Sequence, residues 1–397
     1  MTALAVAGLS VRVMTEGAAR DGFGVFALDL FGDVDTRAAA CGWFDINSAD
    51  GPGSVGNGGD ALHVDADRLI STLSMLARRG DVSGWVAGSG FEGRPELLAE
   101  AAAALPLIGC APAAVARLRD PAQFFEFLQR HGIDHPPISF ENPNCNLDEL
   151  SHWLLKDSGG CGGVHIRSAG GAGSEAPTRR HYFQRRVAGL PMSATFVGNG
   201  QGAILLGINE QIVRPLGALP YVFCGMLGPV EVAAAVRHRV QQIVRCLTAG
   251  FDIRGLASLD FMLDAGRVLV LEVNPRPPAS MALYGGCRPM AMHVQACRDG
   301  SLPQPTARRG DADFADDEAG VEGFEIVFAR RPLQLKPAAA LRLAGWPDAH
   351  DLPHAGQCFA AGDPFCSVAA RGRGSTELRA RLHQRRETLL DSLETEL

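Results

Sequence analysis

The stretch LASLDFMLDAGRVLVLEVNPRPP, residues 256–278, is the most informative part of the chain about its fold. A turn signal at residues 264–266 separates two apolar runs rich in β-forming residues, which predicts an antiparallel hairpin. In that hairpin Asp260 on the first strand lies nearly opposite Glu272 on the second. Asn274 follows Glu272 by two residues and therefore shares its face.

The three polar side chains on this face bring hard oxygen atoms into otherwise apolar strands. Such oxygens suit Mg²⁺ or Mn²⁺, because Mg²⁺ is usually held by one or two carboxylates while water and nucleotide phosphates fill its other positions. Asp260, Glu272 and Asn274 are therefore the predicted metal ligands, and an ordinary hairpin with charged ends is the alternative. Arg276 is predicted to point the same way and to stabilise negative charge on a phosphoryl or acyl oxygen.

A second segment with polar and glycine signals lies upstream, in WLLKDSGGCGGVHIRS, residues 153–168. It reads as a short strand that carries Lys156, a glycine-rich turn and a second strand. Glycines let backbone N–H groups approach a polyphosphate, and the lysine adds a point charge. The glycines in question are Gly159, Gly160, Gly162 and Gly163. A flexible loop beside a solvated lysine is the alternative, and the segment is not a Walker A loop because G-K-[ST] is missing.

The neighbouring segments supply further elements in a consistent order. Residues 181–213 contain three strand-like runs joined by turn signals. An amphipathic pattern predicts a long helix over 229–248. Cys161, inside the glycine turn, is best interpreted as a small residue tolerated there, with a thiol activated by Lys156 and backbone dipoles as the alternative.

Taken in order, these motifs resemble the ATP-grasp superfamily over roughly residues 110–300: a lysine strand, a glycine loop, a Q-x-x-V-x-G strand, a long helix and D-F…L-E-V-N-P-R. The resemblance implies an α/β and α+β molecule with the ATP-grasp fold. Such a fold has a parallel-sheet N-terminal domain and two α+β subdomains that clamp ATP. A small β-rich C-terminal extension follows them in several ligases of this kind.

The resemblance also implies roles for single residues in nucleotide binding. Lys156 would contact the α- and β-phosphates, and residues 159–163 would cover the phosphates as a mobile lid. Gln184 would meet the adenine amino group, while the backbone around Arg186 and Val187 would read the adenine edge. Many members carry a lysine just before the helix expected at 121–131, where this chain has an arginine, Arg119, as the expected substitute phosphate contact.

The same resemblance implies two metal ions and a ligase reaction. Asp260 would hold one ion, Glu272 would bridge both and Asn274 would complete the second. The implied activity is ATP-dependent, ADP-forming ligation of a carboxylate to an amine through an acylphosphate, with Lys156 and Arg276 as catalytic groups. Finer similarity is to the tyramine-glutamate ligase branch associated with methanofuran-type and tetrahydromethanopterin-type coenzymes. A carboxylase, a phosphotransferase or a non-catalytic ATP-binding protein are the alternatives, and a homodimer is compatible with each.

The first 110 residues alternate strand-like and helix-like runs, which predicts a small parallel-sheet domain that starts with a β-α-β element. Its loops at residues 29–37 and 88–92 fall where open α/β sheets bind ligands. Ser89 and Glu92 are therefore candidate contacts for the acid or amine substrate. A mere turn at these positions is the alternative.

Length and composition set the outer limits. A chain of 397 residues should divide into two or three domains, predicted at 1–110, 111–302 and 321–397 with a linker at 303–320. The net charge of −7 argues against a nucleic-acid-binding protein, and no apolar run is long enough to span a membrane. Ten cysteines without a C-x-x-C pair indicate reduced thiols in the cytoplasm. His350 and His354, near two aspartates, are interpreted as loop residues and not as a metal cluster.

Overall fold

The computed structural model of the chain describes residues 2–47, 62–143, 147–171, 180–302 and 320–394. The linker expected at 303–320, except for its last residue, and Cys145 lie outside these ranges.

The described strands follow one another through the whole chain. They are β1 (Ala3–Ala7), β2 (Gly24–Asp29), β3 (Gly42–Asp45), β4 (Val82–Ala87), β5 (Ile138–Ser139), β6 (Trp153–Asp157), β7 (Ile166–Ser168), β8 (His181–Arg185), β9 (Leu190–Asn199), β10 (Ala203–Leu216), β11 (Leu219–Gly228), β12 (Arg254–Asp264), β13 (Arg267–Asn274), β14 (Val321–Phe328), β15 (Leu333–Gln334), β16 (Ala349–His350), β17 (Cys358–Phe359) and β18 (Pro364–Gly372).

The helices lie between these strands and at the end of the described chain. They are α1 (Arg12–Arg20), α2 (Val34–Ala39), α3 (Ala66–Arg79), α4 (Pro95–Ala104), α5 (Pro112–Arg119), α6 (Pro121–Arg130), α7 (Leu147–Leu150), α8 (Ala234–Phe251), α9 (Pro289–Arg298), α10 (Pro337–Ala344) and α11 (Ser375–Glu394). Two short 3-10 helices cover Ala169–Gly171 and Ala279–Cys287. None of the helices described is long and apolar enough to cross a lipid bilayer.

A four-stranded parallel sheet in the order β3-β2-β1-β4 forms the N-terminal region, as the β-α-β prediction requires. Alternate residues of β1 face opposite layers, because successive strand side chains point to opposite sides of a sheet. Leu4 and Val6 pack with the cluster around α1 and α9, while Ala3 and Ala5 face the cluster that contains α3 and α4. Both faces of the sheet are therefore buried.

An eight-stranded antiparallel sheet in the order β13-β12-β9-β10-β11-β14-β18-β16 forms the largest layer. Strands β14, β16 and β18 belong to the C-terminal part of the chain, yet β14 pairs directly with β11. The C-terminal extension thus continues the sheet that begins with β9. The domain boundaries near residues 110 and 302 stay a prediction.

A separate four-stranded antiparallel sheet, in the order β5-β8-β6-β7, carries the lysine strand and the glycine loop. The loop at 158–165 joins β6 to β7, so the predicted arrangement of strand, glycine turn and strand is confirmed. This small sheet and the eight-stranded sheet both contribute residues to one large cavity.

The helix predicted over 229–248 begins later, since α8 covers Ala234–Phe251. The reason is that the amide of Val230 donates to the carbonyl of Ile208 at 2.8 Å, which ties the preceding segment to β10. The apolar face predicted for the helix is buried from Val236 onward. Asp252, in the left-handed conformation with φ 55°, ends the helix.

The N-terminal and C-terminal regions meet at Arg12, the first residue of α1. Its guanidinium contacts Asp351 at 2.7 Å, Glu16 at 2.9 Å and Asp35 at 3.6 Å. The amides of Asp351 and Leu352 in turn donate to Asp35 at 2.8 and 3.1 Å. A buried cation thus links α1, α2 and the segment after β16.

Replacing Arg12 by alanine should lower the free energy of unfolding by about 2–4 kcal/mol, because it leaves several partly buried carboxylates without compensation. We place the loss below the range for fully buried pairs because the Asp351 side chain is 30% exposed. Denaturant unfolding followed by circular dichroism measures the change.

The matched control is Arg130→Ala, which removes an arginine whose pair with Glu126 is about two-thirds exposed on both sides. It should change the free energy of unfolding by less than about 0.5 kcal/mol. Equal losses for the two variants would contradict the linking role of Arg12.

Candidate functional site

The β12–β13 hairpin brings the predicted metal ligands together. Asp260 pairs with Glu272 in the register, and Ser258 pairs with Asn274. A register shift directly after Asp260 marks a local irregularity at this point. The side-chain amide of Asn274 donates to Asp260 at 3.3 Å, so the two side chains are in contact.

An arginine from outside the hairpin contacts the same group. Arg119, at the end of α5, donates from one terminal nitrogen to Glu272 at 3.0 Å and from the other to the amide oxygen of Asn274 at 2.8 Å. Ser193 on the adjacent strand β9 donates to Asp260 at 2.7 Å. Sequence reasoning named Arg119 as a phosphate contact and did not foresee that it would contact the hairpin, and it missed Ser193.

The two carboxylates respond in opposite ways to the surroundings. Burial, and then the charge of Glu272, raises the pKa of Asp260 to about 6. Burial alone would also raise the pKa of Glu272, but Arg119, followed by His165 and Lys156, holds it below its ordinary value. Glu272 therefore keeps its negative charge at neutral pH.

Lys156 is buried on β6 and faces the same cavity. Burial lowers the pKa of Lys156, and the charges of Glu272 and Asp260 partly offset that effect. Because the charges of Glu272 and Asp260 act on Lys156, the lysine of the small sheet lies near the carboxylates of the large sheet. The site thus lies between the two sheets.

The glycine loop reaches across the cleft from the small sheet to the large one. The carbonyl oxygen of Gly162 accepts a hydrogen bond from the amide of Phe223 on β11 at 2.9 Å. A Cβ atom added to Gly163, where φ is +80°, would lie 1.8 Å from the carbonyl oxygen of Tyr221. Only a residue without a side chain fits this approach.

The predicted base-binding residues lie on β8 and just beyond it. Gln184 is 1% exposed, lines the cavity, and its Nε2 has no hydrogen-bond partner among the described residues. Arg186 and Val187 also line the cavity. The backbone N–H of Arg186 donates to the carbonyl oxygen of His152 at 2.7 Å. Of the two backbone groups of Arg186, the carbonyl oxygen therefore remains for a ligand.

Arg276 lies just after β13, where the strand has ended, and an acidic residue of the N-terminal region holds it. Its Nε contacts Glu92 at 2.5 Å, and the other carboxylate oxygen of Glu92 accepts from the amide of Gly90 at 2.7 Å. Glu92 is buried, and although burial would raise its pKa, Arg276 and then Arg119 keep it low. Glu92 thus positions Arg276, while Ser89 lines the cavity.

One cavity of about 2030 Å³ is lined by all the residues predicted for the site except Glu92 and Arg119. It is also lined by α1 and the loops after the strands of the N-terminal sheet, and by residues of the C-terminal extension. Its size exceeds the usual range for a single small ligand, and it therefore has room for a nucleotide and a further molecule.

The structure bears on the activated thiol considered for Cys161 and on the loop interpretation of His350 and His354. Burial raises the pKa of the Cys161 thiol to about 12, which removes the basis for an activated thiol in the glycine loop. His354 contacts the carbonyl oxygen of Gly32 at 2.6 Å, in agreement with its interpretation as a loop residue, whereas His350 belongs to the two-residue strand β16. The nine cysteines among the described residues are all free thiols.

Comparison with known proteins identifies the fold. Residues 119–280 match the ATP-grasp domain family. Among curated proteins, the carbamoyl phosphate synthase large chain of Pseudarthrobacter chlorophenolicus is 25% identical over 227 residues, 52% of this chain. The chain spans about a fifth of the length of these curated relatives.

Solved structures resemble the chain over nearly its whole length. Biotin carboxylase from Campylobacter jejuni gives a TM-score of 0.67 at 12% identity, covering 98% of this chain and 95% of that one. L-amino acid ligase from Bacillus licheniformis gives 0.64 at 14%, covering 98% and 97%. N5-carboxyaminoimidazole ribonucleotide synthetase from Thermus thermophilus gives 0.62 at 16%, covering 98% of each. Residues 119–280 are therefore an ATP-grasp domain, and the chain has the ATP-grasp fold.

Proposed function

We propose that the chain is an ATP- and Mg²⁺-dependent, ADP-forming ligase that joins a carboxylate to an amine through an acylphosphate. The observation that carries this proposal is the cluster of Asp260, Glu272 and Asn274 in a cleft between two sheets, with Lys156 and Arg276 beside it. Among the similar folds, an L-amino acid ligase is an enzyme named for this type of reaction.

The donor set of the hairpin fits Mg²⁺ or Mn²⁺. Two carboxylates and an amide oxygen are hard ligands, and all three side chains belong to one hydrogen-bonded group. Asp260 and Glu272 would hold the ion with Asn274, and two ions are expected as in the ATP-grasp resemblance. A bound metal ion would neutralise negative charge on the phosphates.

The nucleotide would lie between the two sheets. Lys156 supplies a cation for its phosphates, and the glycine loop that contacts β11 separates them from water. The side-chain nitrogen of Gln184, which has no partner among the described residues, suits the edge of a base. The base would decide whether the amide presents its nitrogen or its oxygen. Arg186 would contribute its carbonyl oxygen and Val187 its backbone.

In the proposed reaction a carboxylate oxygen of the acid attacks the γ-phosphorus of ATP. The new O–P bond forms as the bond to the β-phosphate oxygen breaks, and ADP leaves. The amine nitrogen then attacks the acyl carbon, loses a proton, and phosphate departs with the electron pair of the broken C–O bond. Arg276, held by Glu92, stabilises the oxyanion of that second step.

The proposal for the acid and the amine rests on the resemblance of the sequence to the tyramine-glutamate ligase branch. That resemblance favours a glutamate-like acid and a tyramine-like amine, in the synthesis of a methanofuran-type or tetrahydromethanopterin-type coenzyme. A carboxylase on the same fold would release carboxylated products and no amide. Product analysis after incubation with acids, amines and bicarbonate distinguishes the two.

Glu272→Gln should reduce ATP turnover about 100-fold or more, because it removes a charge that the metal needs and keeps the volume of the side chain. Release of ADP under saturating Mg²⁺ is the measurement. Asp264→Asn, at the turn of the same hairpin, is the control and should keep normal turnover. Turnover near that of the wild type for Glu272→Gln, with unchanged melting temperature, would refute the metal assignment.

Hydroxylamine should trap the activated acid as a hydroxamate when ATP and a competent acid are present. The reason is that an acylphosphate reacts readily with this small nucleophile, whereas free carboxylates do not. ADP release with a competent acid but without hydroxamate, or release of AMP and pyrophosphate, would show that the activation step is wrong.

Arg276→Ala should lower kcat by about 10²–10³-fold with little change in KM for ATP, as expected for a contact made in the transition state. Glu92→Gln should lower kcat by about tenfold, because it loosens Arg276 without removing it. Steady-state kinetics measures both variants. A rise in KM for ATP with unchanged kcat would assign Arg276 to nucleotide binding instead.

Gly163→Ala should lower turnover by about tenfold or more, since its Cβ cannot approach Tyr221 and the loop can no longer reach β11. Gly162→Ala is the matched control: it shares a positive φ of +65°, but nothing lies within 4 Å of its added Cβ. Equal losses in kcat for the two variants would mean that backbone strain, and not loop contact, limits the enzyme.

A further inference from the structure

A buried carboxylate without a partner lies in the part of the cavity formed by α1 and by the loops that follow the strands of the N-terminal sheet. Asp33 follows the carboxyl end of β2, precedes α2, is 6% exposed and lines the cavity. Its side chain makes no capping hydrogen bond to α2. Among the residues that the structure describes, it has no hydrogen bond or ion pair through its side chain. An isolated buried carboxylate is costly unless something pairs with it.

The neighbouring carboxylates differ from Asp33 because their oxygens are already used. Asp29 accepts from the amides of Val11 and Gly32 and from the indole of Trp43. These three bonds have lengths of 3.2, 2.9 and 2.7 Å. Asp29 is therefore a structural group that fixes the loop after β2.

The remaining two aspartates of the cluster serve the junction with the C-terminal extension. Asp351 is bound by Arg12 and by the hydroxyl of Ser367, and Asp35 by two backbone amides. Arg12 is shared among Asp351, Asp35 and Glu16. Arg12, the cation that lowers the pKa of Asp33, thus makes its ion pairs with the other acids.

A metal ion is a poor partner for Asp33. Glu16, Asp35 and His350 come close enough together to suggest a cation site, but Arg12 already contacts both of those acids. Asp33 alone offers free oxygens, whereas a divalent ion bound by protein needs several. A single carboxylate in a cavity whose lining includes apolar residues such as Leu9, Phe31 and Pro353 suits an organic ammonium group instead.

We propose that Asp33 binds an ammonium group of a substrate, one that is distinct from the nitrogen that becomes acylated. This inference rests on the proposed ligase function. The attacking nitrogen must be neutral to use its lone pair, so an ammonium held by a carboxylate is a recognition group. The substrate class is then an amino acid, if the acid carries the group, or a diamine, if the amine does.

The electrostatics around Asp33 agrees with this assignment. Burial, and then the charges of Asp351, Asp29 and Asp35, raises the pKa of Asp33 to about 9, while Arg12 acts in the opposite direction. Asp33 is therefore protonated at neutral pH. A bound ammonium group displaces that proton and forms an ion pair with the carboxylate.

The test compares probes that differ only in one ammonium group. L-Glutamate is matched with glutarate, and 1,4-diaminobutane with 1-butylamine. Calorimetry of the full chain with Mg²⁺ and a non-hydrolysable ATP analogue gives the dissociation constants. At least one probe should bind about tenfold or more tightly than its partner, as expected for one charge-assisted hydrogen bond. The pair that shows the preference tells whether acid or amine carries the group.

Asp33→Asn should abolish that preference, leaving the two members of the pair within about threefold. Glu16→Gln is the matched control: it removes one negative charge from the same cluster at a residue that does not line the cavity, and it should keep the preference. Asp33→Ser, which also suits the start of a helix, replaces the first variant if its melting temperature falls.

Two outcomes overturn the inference: no probe binds better than its partner in the wild type, or the preference survives in both Asp33 variants. Failure of the ligase proposal gives a different result. In that case the enzyme releases no ADP with any of the acids tested, whereas the binding preference and its loss in Asp33→Asn can still be measured. Displacement of a proton on binding, seen as buffer-dependent enthalpy, should also disappear with Asp33→Asn.

Discussion

Compensation of charge in a buried cleft is the constraint on which the candidate site depends. Asp260 and Glu272 come from one hairpin, but the cations around them come from other segments: Arg119 from the end of α5, Lys156 from β6 and Arg276 from beyond β13. Removing one member of such a set leaves the others uncompensated in a low-dielectric environment. The electrostatics of the site therefore requires that separate sheets and helices come together.

Elements that depend on local pattern could be predicted from the sequence. The turn at residues 264–266 and strand alternation predict the hairpin and bring Asp260 near Glu272, but the register shift after Asp260 is what sets the two directly opposite each other. The β-α-β start follows from apolar runs separated by a helix. The boundary of α8 could not be predicted, because the tertiary hydrogen bond of Val230 to β10 decides it. Local propensity cannot report such a contact.

The side-chain contacts within the site could not be predicted from the sequence for the same reason. Arg119 and Glu272 are separated by 153 residues, and Glu92 and Arg276 by 184. No spacing rule links residues so far apart, so sequence reasoning could name Glu92 as a candidate but could not identify its partner. Asp33 lies in the loop at residues 29–37 that was expected to bind a ligand, but no motif marks this residue within the loop. Its significance comes from what surrounds it in three dimensions, where each neighbouring carboxylate is already occupied.

The contact between Arg12 and Asp351 joins residues 339 positions apart. Contacts of such long sequence separation form late in folding, since closing so large a loop costs chain entropy before any interaction repays it. During synthesis the N-terminal sheet can form while Asp351 is still unmade, and its α1 surface then presents an uncovered guanidinium next to Glu16 and Asp35. The junction can therefore close only after Asp351 has been made, and until then Glu16 and Asp35 are the carboxylates that pair with Arg12.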